Sequence, residues 1–304
     1  MLRRSEDGGA CQKYLDPVLR SGTSGIGAPA TAPYRSAMAH IPDRSYGKHF
    51  AASSVAQNYV HRPPYSPEVF ATLVNLIPPN SRAVLDAGCG PGKLALGLAP
   101  YVERIDAVDP ASEMIAIGRA CPGGADPKIR WLESTLEDAA LAPPYGLVVC
   151  GVSFHWMDAA AALTRFAQTL APDGIFALVA GDAPADPPWY DAERDMMFDF
   201  IERLQGQKPE FLATSRANLE KPLLEHCRFR QLGAKITAPF PVRQSIENYL
   251  ACQHSRATWS IDFMGQQMAA EFDARLRALL APHAPDGVLD YVVQTRIEWG
   301  RPLL

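Results

Sequence analysis

The chain of 304 residues predicts a doubly wound α/β fold, with a seven-stranded, mostly parallel sheet and a helical lid inserted late in the chain. Three observations carry this. From residue 82 onward short apolar runs alternate with helix-sized segments, and most runs are too uniformly apolar for one-sided burial, as expected of parallel strands covered on both faces. The first run leads directly into the glycine-rich turn "LDAGCGPG", where a doubly wound sheet meets a ligand. After "VAGDAPADPPWY" the alternation gives way to polar helical stretches, the place where such a fold grows a lid.

Residues 1–45 are rich in Gly, Ser, Ala, Pro and Arg without a sustained period and read as a disordered arm. Arg3 and Arg4 precede no apolar stretch of the secretory kind, and Met38 offers an alternative start; no function is assigned to the arm. A single domain then spans 46–304, divided into a ligand-binding core at 46–185, a helical lid at 186–230, and strands and helices at 231–304 that complete the sheet. The core strands are "RAVLDA" (82–87), "IDAVD" (105–109), "IRWLE" (129–133), "GLVVCG" (146–151) and "GIFALVA" (174–180). Between them "SEMIAIGRA" and "DAAAALTRFAQTLAPDG" carry apolar residues at helical spacing, the second opening on an Asp and closing on Pro-Asp-Gly. "GAKITAPFPV" and "LDYVVQTRIEW" read as the last two strands, flanking helices near 244–281.

Composition narrows the function. The net charge of −4 comes from interspersed residues with no basic stripe, which excludes nucleic acid as a partner. Cysteines 11, 89, 121, 150, 227 and 252 form no CxxC pair, the pattern of reduced cytosolic thiols, and the histidines show no HxxxH or HExxH spacing, so no metal is expected. No apolar run is long enough to span a bilayer, and a soluble, cytoplasmic protein is expected. Ser153 in "GVSFH" lacks the second glycine of a nucleophile elbow, which argues against a hydrolase.

The glycine turn carries the chemistry. Asp86 ends the first strand, Gly88, Gly90 and Gly92 alternate after it, and Asp109 closes the second strand. That spacing, about twenty residues, puts a carboxylate where it can accept both hydroxyls of an adenosyl ribose. The same Asp could cap the helix that begins near Pro110, and the two roles are compatible. A dinucleotide fingerprint would need a small residue at position 93, where this chain has Lys93. The spacing therefore disfavours a nicotinamide-dependent oxidoreductase, which stays as an alternative.

"VLDAGCGPG" resembles motif I of the class I S-adenosylmethionine (SAM)-dependent methyltransferases, whose fold is Rossmann-like. The similarity continues in order through "AVDPASEM", "STLEDAAL", "GLVVCGVSFHWMD" and "LAPDGIFALV", the third of these being similar to the trans-aconitate and ubiquinone-pathway subgroup. The resemblance implies SAM as cofactor and methyl transfer to a small-molecule acceptor, on oxygen or else carbon or nitrogen, with a carboxylate or phenol-like acceptor favoured. It also implies roles for single residues. Gly88, Gly90 and Gly92 would admit the methionyl part of SAM, and Asp86 would position the loop and the ammonium group. Asp109 would hold the ribose, Pro110 and Met114 would line the adenine slot with Thr135, Leu136 and Glu137, and Gly151 would offer its carbonyl to the ammonium. "NYVHRPPYSPEV" is similar to the segment that folds over the cofactor in the same subgroup, which brings in Tyr59 and, on the acceptor side, Arg62. A SAM-binding protein without transferase activity is a further alternative.

His155, beside Trp156 in "FHWMD", has the imidazole of a general base. The pair is placed in the acceptor pocket, with base catalysis by His155 as a secondary reading, since an anionic acceptor needs little acid-base help. Aromatic and cationic residues in "PPWYDAERDMMFDF", "CQHSRATWSIDF" and around Arg296 are candidates to roof that pocket.

Overall fold

The computed structural model describes residues 53–206 and 228–303. The expected disordered arm and most of the second half of the expected lid lie outside the described residues.

Seven strands form the main sheet: β1 (Ala83–Ala87), β2 (Arg104–Asp109), β3 (Ile129–Glu133), β4 (Tyr145–Gly151), β5 (Leu170–Ala180), β6 (Phe229–Ile236) and β9 (Arg296–Pro302). Their order is β3-β2-β1-β4-β5-β9-β6. The first five run parallel, and β9 lies antiparallel to both β5 and β6. Every residue of β1 after Ala83 is buried, as is every residue of β4 before Gly151, matching the two-sided burial their uniform hydrophobicity implies. α1 (Ser53–Asn58) and α2 (Pro67–Leu76) precede the sheet, and α3 (Lys93–Leu98), α4 (Ser112–Ala120) and α5 (Ala159–Thr169) connect its parallel strands. The Asp158 side chain caps α5 by accepting from the Ala161 N–H at 3.0 Å. The "LAPDG" stretch that reads as the end of this helix instead begins β5, through an irregularity in its pairing with β4.

The late strands differ from the sequence expectation. "GAKITAPFPV" is two strands, the end of β6 and the start of β7 (Phe240–Ser245), and "LDYVVQTRIEW" is likewise β8 (Val288–Val293) followed by β9. β7 and β8 pair antiparallel in a separate two-stranded sheet. Both runs leave one sheet for the other at the same point, where Thr237 and Thr295, both buried, exchange two hydrogen bonds: Thr237 N–H to the Thr295 carbonyl at 2.9 Å and Thr295 N–H to Thr237 Oγ1 at 3.0 Å.

Between β7 and β8 come α7 (Ile246–His254), α8 (Ile261–Met264) and α9 (Gln266–Leu280). Together with α6 (Tyr190–Gln205) they enclose a second hydrophobic core that includes Trp189, Phe200, Tyr249, Phe272 and Tyr291. The helical layer therefore comes from two insertions, one after β5 and one between β6 and β9, rather than from a lid confined to 186–230. Its α7 end packs over the carboxyl ends of the strands through the 3-10 turn Tyr59–His61.

Cys89, Cys150 and Cys252 are free and buried. Among the described residues no helix is long and apolar enough to cross a membrane.

Candidate functional site

The carboxyl ends of β1, β2, β4 and β5 meet beneath α1 and the segment that follows it. β1 delivers Asp86, whose buried carboxylate accepts the Ala95 N–H of α3 at 3.0 Å. Burial pushes its pKa up to about 7 against that hydrogen bond, with the nearby Asp109 charge adding to the rise. The turn then leaves β1 with the Gly88 and Cys89 N–H groups both donating to the Val108 carbonyl of β2.

Gly88, Gly90 and Gly92 all have positive φ, at 70°, 53° and 79°, but the space beside each is used differently. A Cβ on Gly88 would lie 2.5 Å from Ser153 Cβ, and one on Gly92 would lie 2.3 Å from the Trp131 ring. One on Gly90 would meet nothing closer than the Tyr59 hydroxyl, at 3.6 Å. Two of the glycines thus admit side chains of this protein, and at buried Gly90 a Cβ would make only ordinary contacts, with the Tyr59 ring and hydroxyl.

Asp109 Oδ2 accepts the Gly90 N–H at 2.8 Å and its Oδ1 accepts the Ala111 N–H at 2.9 Å. The second bond is an Asx turn ahead of α4, whose N-cap is Ala111, so Asp109 orders the helix entrance without being its N-cap. Burial raises the Asp109 pKa, opposed by these two N–H groups. Each oxygen spends one acceptor position on the backbone and keeps further acceptor capacity for hydroxyl donors.

Met114 is fully buried against Val55, Ala56 and Ala111, which places α1 over the start of α4, while Pro110 is exposed. Thr135 caps a turn, its hydroxyl donating to Asp138 at 3.0 Å. Leu136 is packed in the core, and the exposed Glu137 borders a groove along α5 with Arg165 and Arg228. The structure therefore directs Leu136 and Glu137 to the α5 side of the loop. Gly151 ends β4 with Leu94 and the Tyr65 hydroxyl close to its Cα. The next residue, Val152, has φ of 54°, a conformation a β-branched residue adopts only under strain of about 1–3 kcal/mol. His155 and Trp156 follow in a short 3-10 turn, half-buried, with ring centroids 4.7 Å apart.

Above the glycine turn Tyr59 lies beneath two cations, the Arg62 guanidinium 4.3 Å and Lys93 Nζ 5.5 Å from its ring centre. Burial raises the Tyr59 pKa. Arg62 is buried and fully engaged: Nε donates to Ser255 Oγ, one terminal nitrogen to the Ser255 carbonyl, and the other to Asp182 Oδ2 at 3.0 Å. It fastens the segment over the cofactor side to both the sheet and the helical layer. Lys93 donates to the Arg62 and Pro63 carbonyls at 3.1 and 2.8 Å, and burial pulls its pKa down to about 7.

Asp182, just beyond β5, receives Arg62 and also Arg256, at 3.3 Å. Burial would raise its pKa, but Arg256, Arg62 and Lys93 together hold it well below the ordinary carboxylate range. Lys93 was legible only as a residue that breaks a dinucleotide fingerprint, Arg256 only as one of the cationic candidates in "CQHSRATWSIDF", and Asp182 not at all. Arg296 pairs with Glu298 along β9.

Residues 84–174 match the methyltransferase domain family, a span that contains the glycine turn, both acidic strand ends and the β4 segment. That span is a methyltransferase domain of the kind found in class I SAM-dependent enzymes. An uncharacterized methyltransferase of Mycobacterium tuberculosis is 36% identical over 119 residues, which are 39% of this chain and 46% of that protein. The methyltransferase pgmE of Aspergillus terreus is 32% identical over 127 residues, 38% of each chain. The methyltransferase match thus spans less than half the length of either relative. A solved structure from Anaeromyxobacter dehalogenans, assigned provisionally to type II methyltransferases, superposes with a TM-score of 0.59 at 24% identity, over 80% of this chain and 98% of that one. Its likeness, which concerns the fold alone, covers more of the chain than the matched domain.

Proposed function

We propose that this methyltransferase moves the methyl group of SAM to a small-molecule acceptor, a carboxylate or phenol-like compound being favoured. The observation that carries the cofactor half is the pairing of Asp109 with Gly90. One carboxylate holds the turn by the Gly90 N–H and keeps acceptor capacity, beside the one glycine of the three where a Cβ would overlap no atom of the protein and would only touch Tyr59. The donor set fits the cofactor. Asp109 supplies acceptors for ribose hydroxyls, the buried Asp86 supplies a negative charge for an ammonium group, and the Gly151 carbonyl lies near that end of the sheet.

In this reading Gly88 and Gly92 shape the turn, Gly90 faces the cofactor, Tyr59 covers it, and Pro110, Met114 and Thr135 border the adenine. Leu136 and Glu137 are retained from the resemblance only as neighbours of that slot, since their side chains point elsewhere. When bound, SAM supplies an electrophilic methyl group on a sulfonium, and the protein supplies alignment and exclusion of water. Arg62 contributes to exclusion by locking the covering segment to Asp182 and Ser255. His155 and Trp156 would contact the acceptor, with base catalysis by His155 needed only for an acceptor that arrives protonated.

Calorimetric titration with SAM, S-adenosylhomocysteine and NADH tests the cofactor assignment. Binding of the two sulfur ligands and its loss in Asp109→Ala are expected; binding of NADH alone would overturn the reading in favour of an oxidoreductase. Turnover and acceptor affinity both retained in His155→Ala would remove His155 from the acceptor pocket.

A further inference from the structure

Three cationic side chains, Arg62, Arg256 and Lys93, surround Asp182 between the sheet and the helical layer. Arg62 spends its nitrogens on Asp182 and Ser255 at 2.8–3.0 Å. Arg256, only 14% exposed, reaches Asp182 through two longer contacts, 3.3 Å to the carboxylate and 3.4 Å to the backbone carbonyl. It also faces a small cavity of about 30 Å³, whose wall includes Glu193, Tyr190, Tyr249, Gln253 and Trp259. That volume suffices for a water molecule or a compact polar head.

The other ionisable acid of the wall does not balance the cations. Both oxygens of Glu193 accept from the Tyr249 hydroxyl, at 2.9 and 3.0 Å, and burial pushes its pKa up to about 7. A largely enclosed guanidinium whose contacts to Asp182 are long, set in the wall of a cavity, is suited to receive an anion. Side-chain contacts link Arg256 to the cofactor side. Arg256 shares Asp182 with Arg62, Arg62 lies over Tyr59, and the Tyr59 hydroxyl is the nearest neighbour of a Cβ placed on Gly90.

We propose that this cavity seats the carboxylate head of the methyl acceptor on Arg256, so that Arg256 selects anionic acceptors over neutral molecules of the same shape. The proposal rests on the methyl-transfer reading above and names the substrate class of that site. Arg62 and Asp182 hold Arg256 in place, and the aromatic wall excludes water from the ion pair. The head serves as a handle, and the proposal leaves open which atom of the acceptor receives the methyl group.

The test is titration of the full chain saturated with S-adenosylhomocysteine, followed by tryptophan fluorescence, since Trp259 lines the cavity. The probes are acetate and benzoate, with acetamide and benzamide as their neutral isosteres. Saturable binding of at least one anion is expected, at least about tenfold tighter than its amide, a ratio in keeping with a charge-assisted pair. Arg256→Gln should abolish the preference while binding of S-adenosylhomocysteine persists, and Arg256→Lys should restore part of it. Glu193→Gln, on the same wall, should keep it. Equal binding of acid and amide, binding of none of the four probes, or a preference that survives Arg256→Gln would each overturn the assignment. If Arg256→Gln does not fold, the acid-to-amide ratio of the wild-type protein still decides. Failure of the wild-type protein to bind S-adenosylhomocysteine would instead defeat the cofactor reading beneath it.

Discussion

Replacing the glycines of the turn one at a time separates the work each does. Gly88→Ala places a methyl group 2.5 Å from Ser153 Cβ and 2.9 Å from its hydroxyl, at a φ of 70°. The left-handed backbone costs about 1–2 kcal/mol for a residue with a Cβ, and forced overlap in a packed site costs about 1–3 kcal/mol more. The loss of roughly 2–5 kcal/mol should lower the melting temperature by on the order of 5–10 °C. Gly90→Ala carries only the backbone part, about 1–2 kcal/mol, because no atom lies within 3.4 Å of the new methyl group. In binding the order reverses. The methyl group of Gly90→Ala occupies the space assigned to SAM, and an overlap of about 1–3 kcal/mol corresponds to roughly a tenfold to hundredfold weaker complex. Melting curves and calorimetry with S-adenosylhomocysteine measure both quantities. A Ser153→Gly background should return most of the overlap cost of Gly88→Ala and leave the backbone cost in place, a coupling that a double-mutant cycle reads directly. Wild-type affinity in Gly90→Ala would refute the claim that Gly90 faces the cofactor. An absence of coupling between Gly88 and Ser153 would refute the packing account of the first glycine.

Three further outcomes follow from the buried charges. Asp182→Asn leaves two arginines facing an amide and should cost about 3–5 kcal/mol, read as a melting temperature; because the folded pKa of Asp182 is held low, the contribution is present above the ordinary carboxylate pKa and fades as pH falls through the folded value. An unchanged melting temperature at neutral pH would count against the cluster. Glu193, with its pKa raised to about 7, keeps a proton in the folded state that the unfolded chain has lost, so it makes stability fall as pH rises from its ordinary value of 4.5 through 7. Glu193→Gln should flatten that part of a denaturation profile, and superimposable profiles would exclude the effect. Asp86, raised likewise to about 7, should release its proton when an ammonium group arrives beside it. The enthalpy of S-adenosylhomocysteine binding at about pH 6 should then differ between phosphate and imidazole buffers in the wild-type protein and agree between them in Asp86→Asn; a difference that persists in the variant assigns the proton elsewhere.

The parallel part of the fold was legible because its signals are local. Most of the first five strands are short, mainly apolar runs, and a strand buried on both faces is recognised from little else. The last four strands fail on the same rule. β6 and β7 are separated by only three residues, and β8 and β9 by only two, and the switch between sheets falls at Thr237 and Thr295, residues that strands accommodate well. What divides the runs is their pairing with each other across about sixty residues, which no window of sequence contains.

The site divides along the same line. Asp86, the glycines and Asp109 occupy the ends of two adjacent strands, so their spacing in the chain already encodes their arrangement in space. Arg62, Lys93, Asp182 and Arg256 come from four separate connections and meet only when the helical layer closes on the sheet. Even within the turn, the partners that claim Gly88 and Gly92 are Ser153 and Trp131, supplied by β3 and by the residues just beyond β4, so three glycines that look equivalent in sequence differ in function. This also explains why the family match ends at residue 174, before Asp182 and before every residue of the helical layer. The half that reads an adenosyl group is built from neighbouring strands and tolerates little change in spacing. The half that would read the acceptor hangs on contacts between a strand end and an insertion, which can change without disturbing the first. Exchange of α7 and its following turn should therefore alter acceptor choice while leaving the affinity for S-adenosylhomocysteine in place.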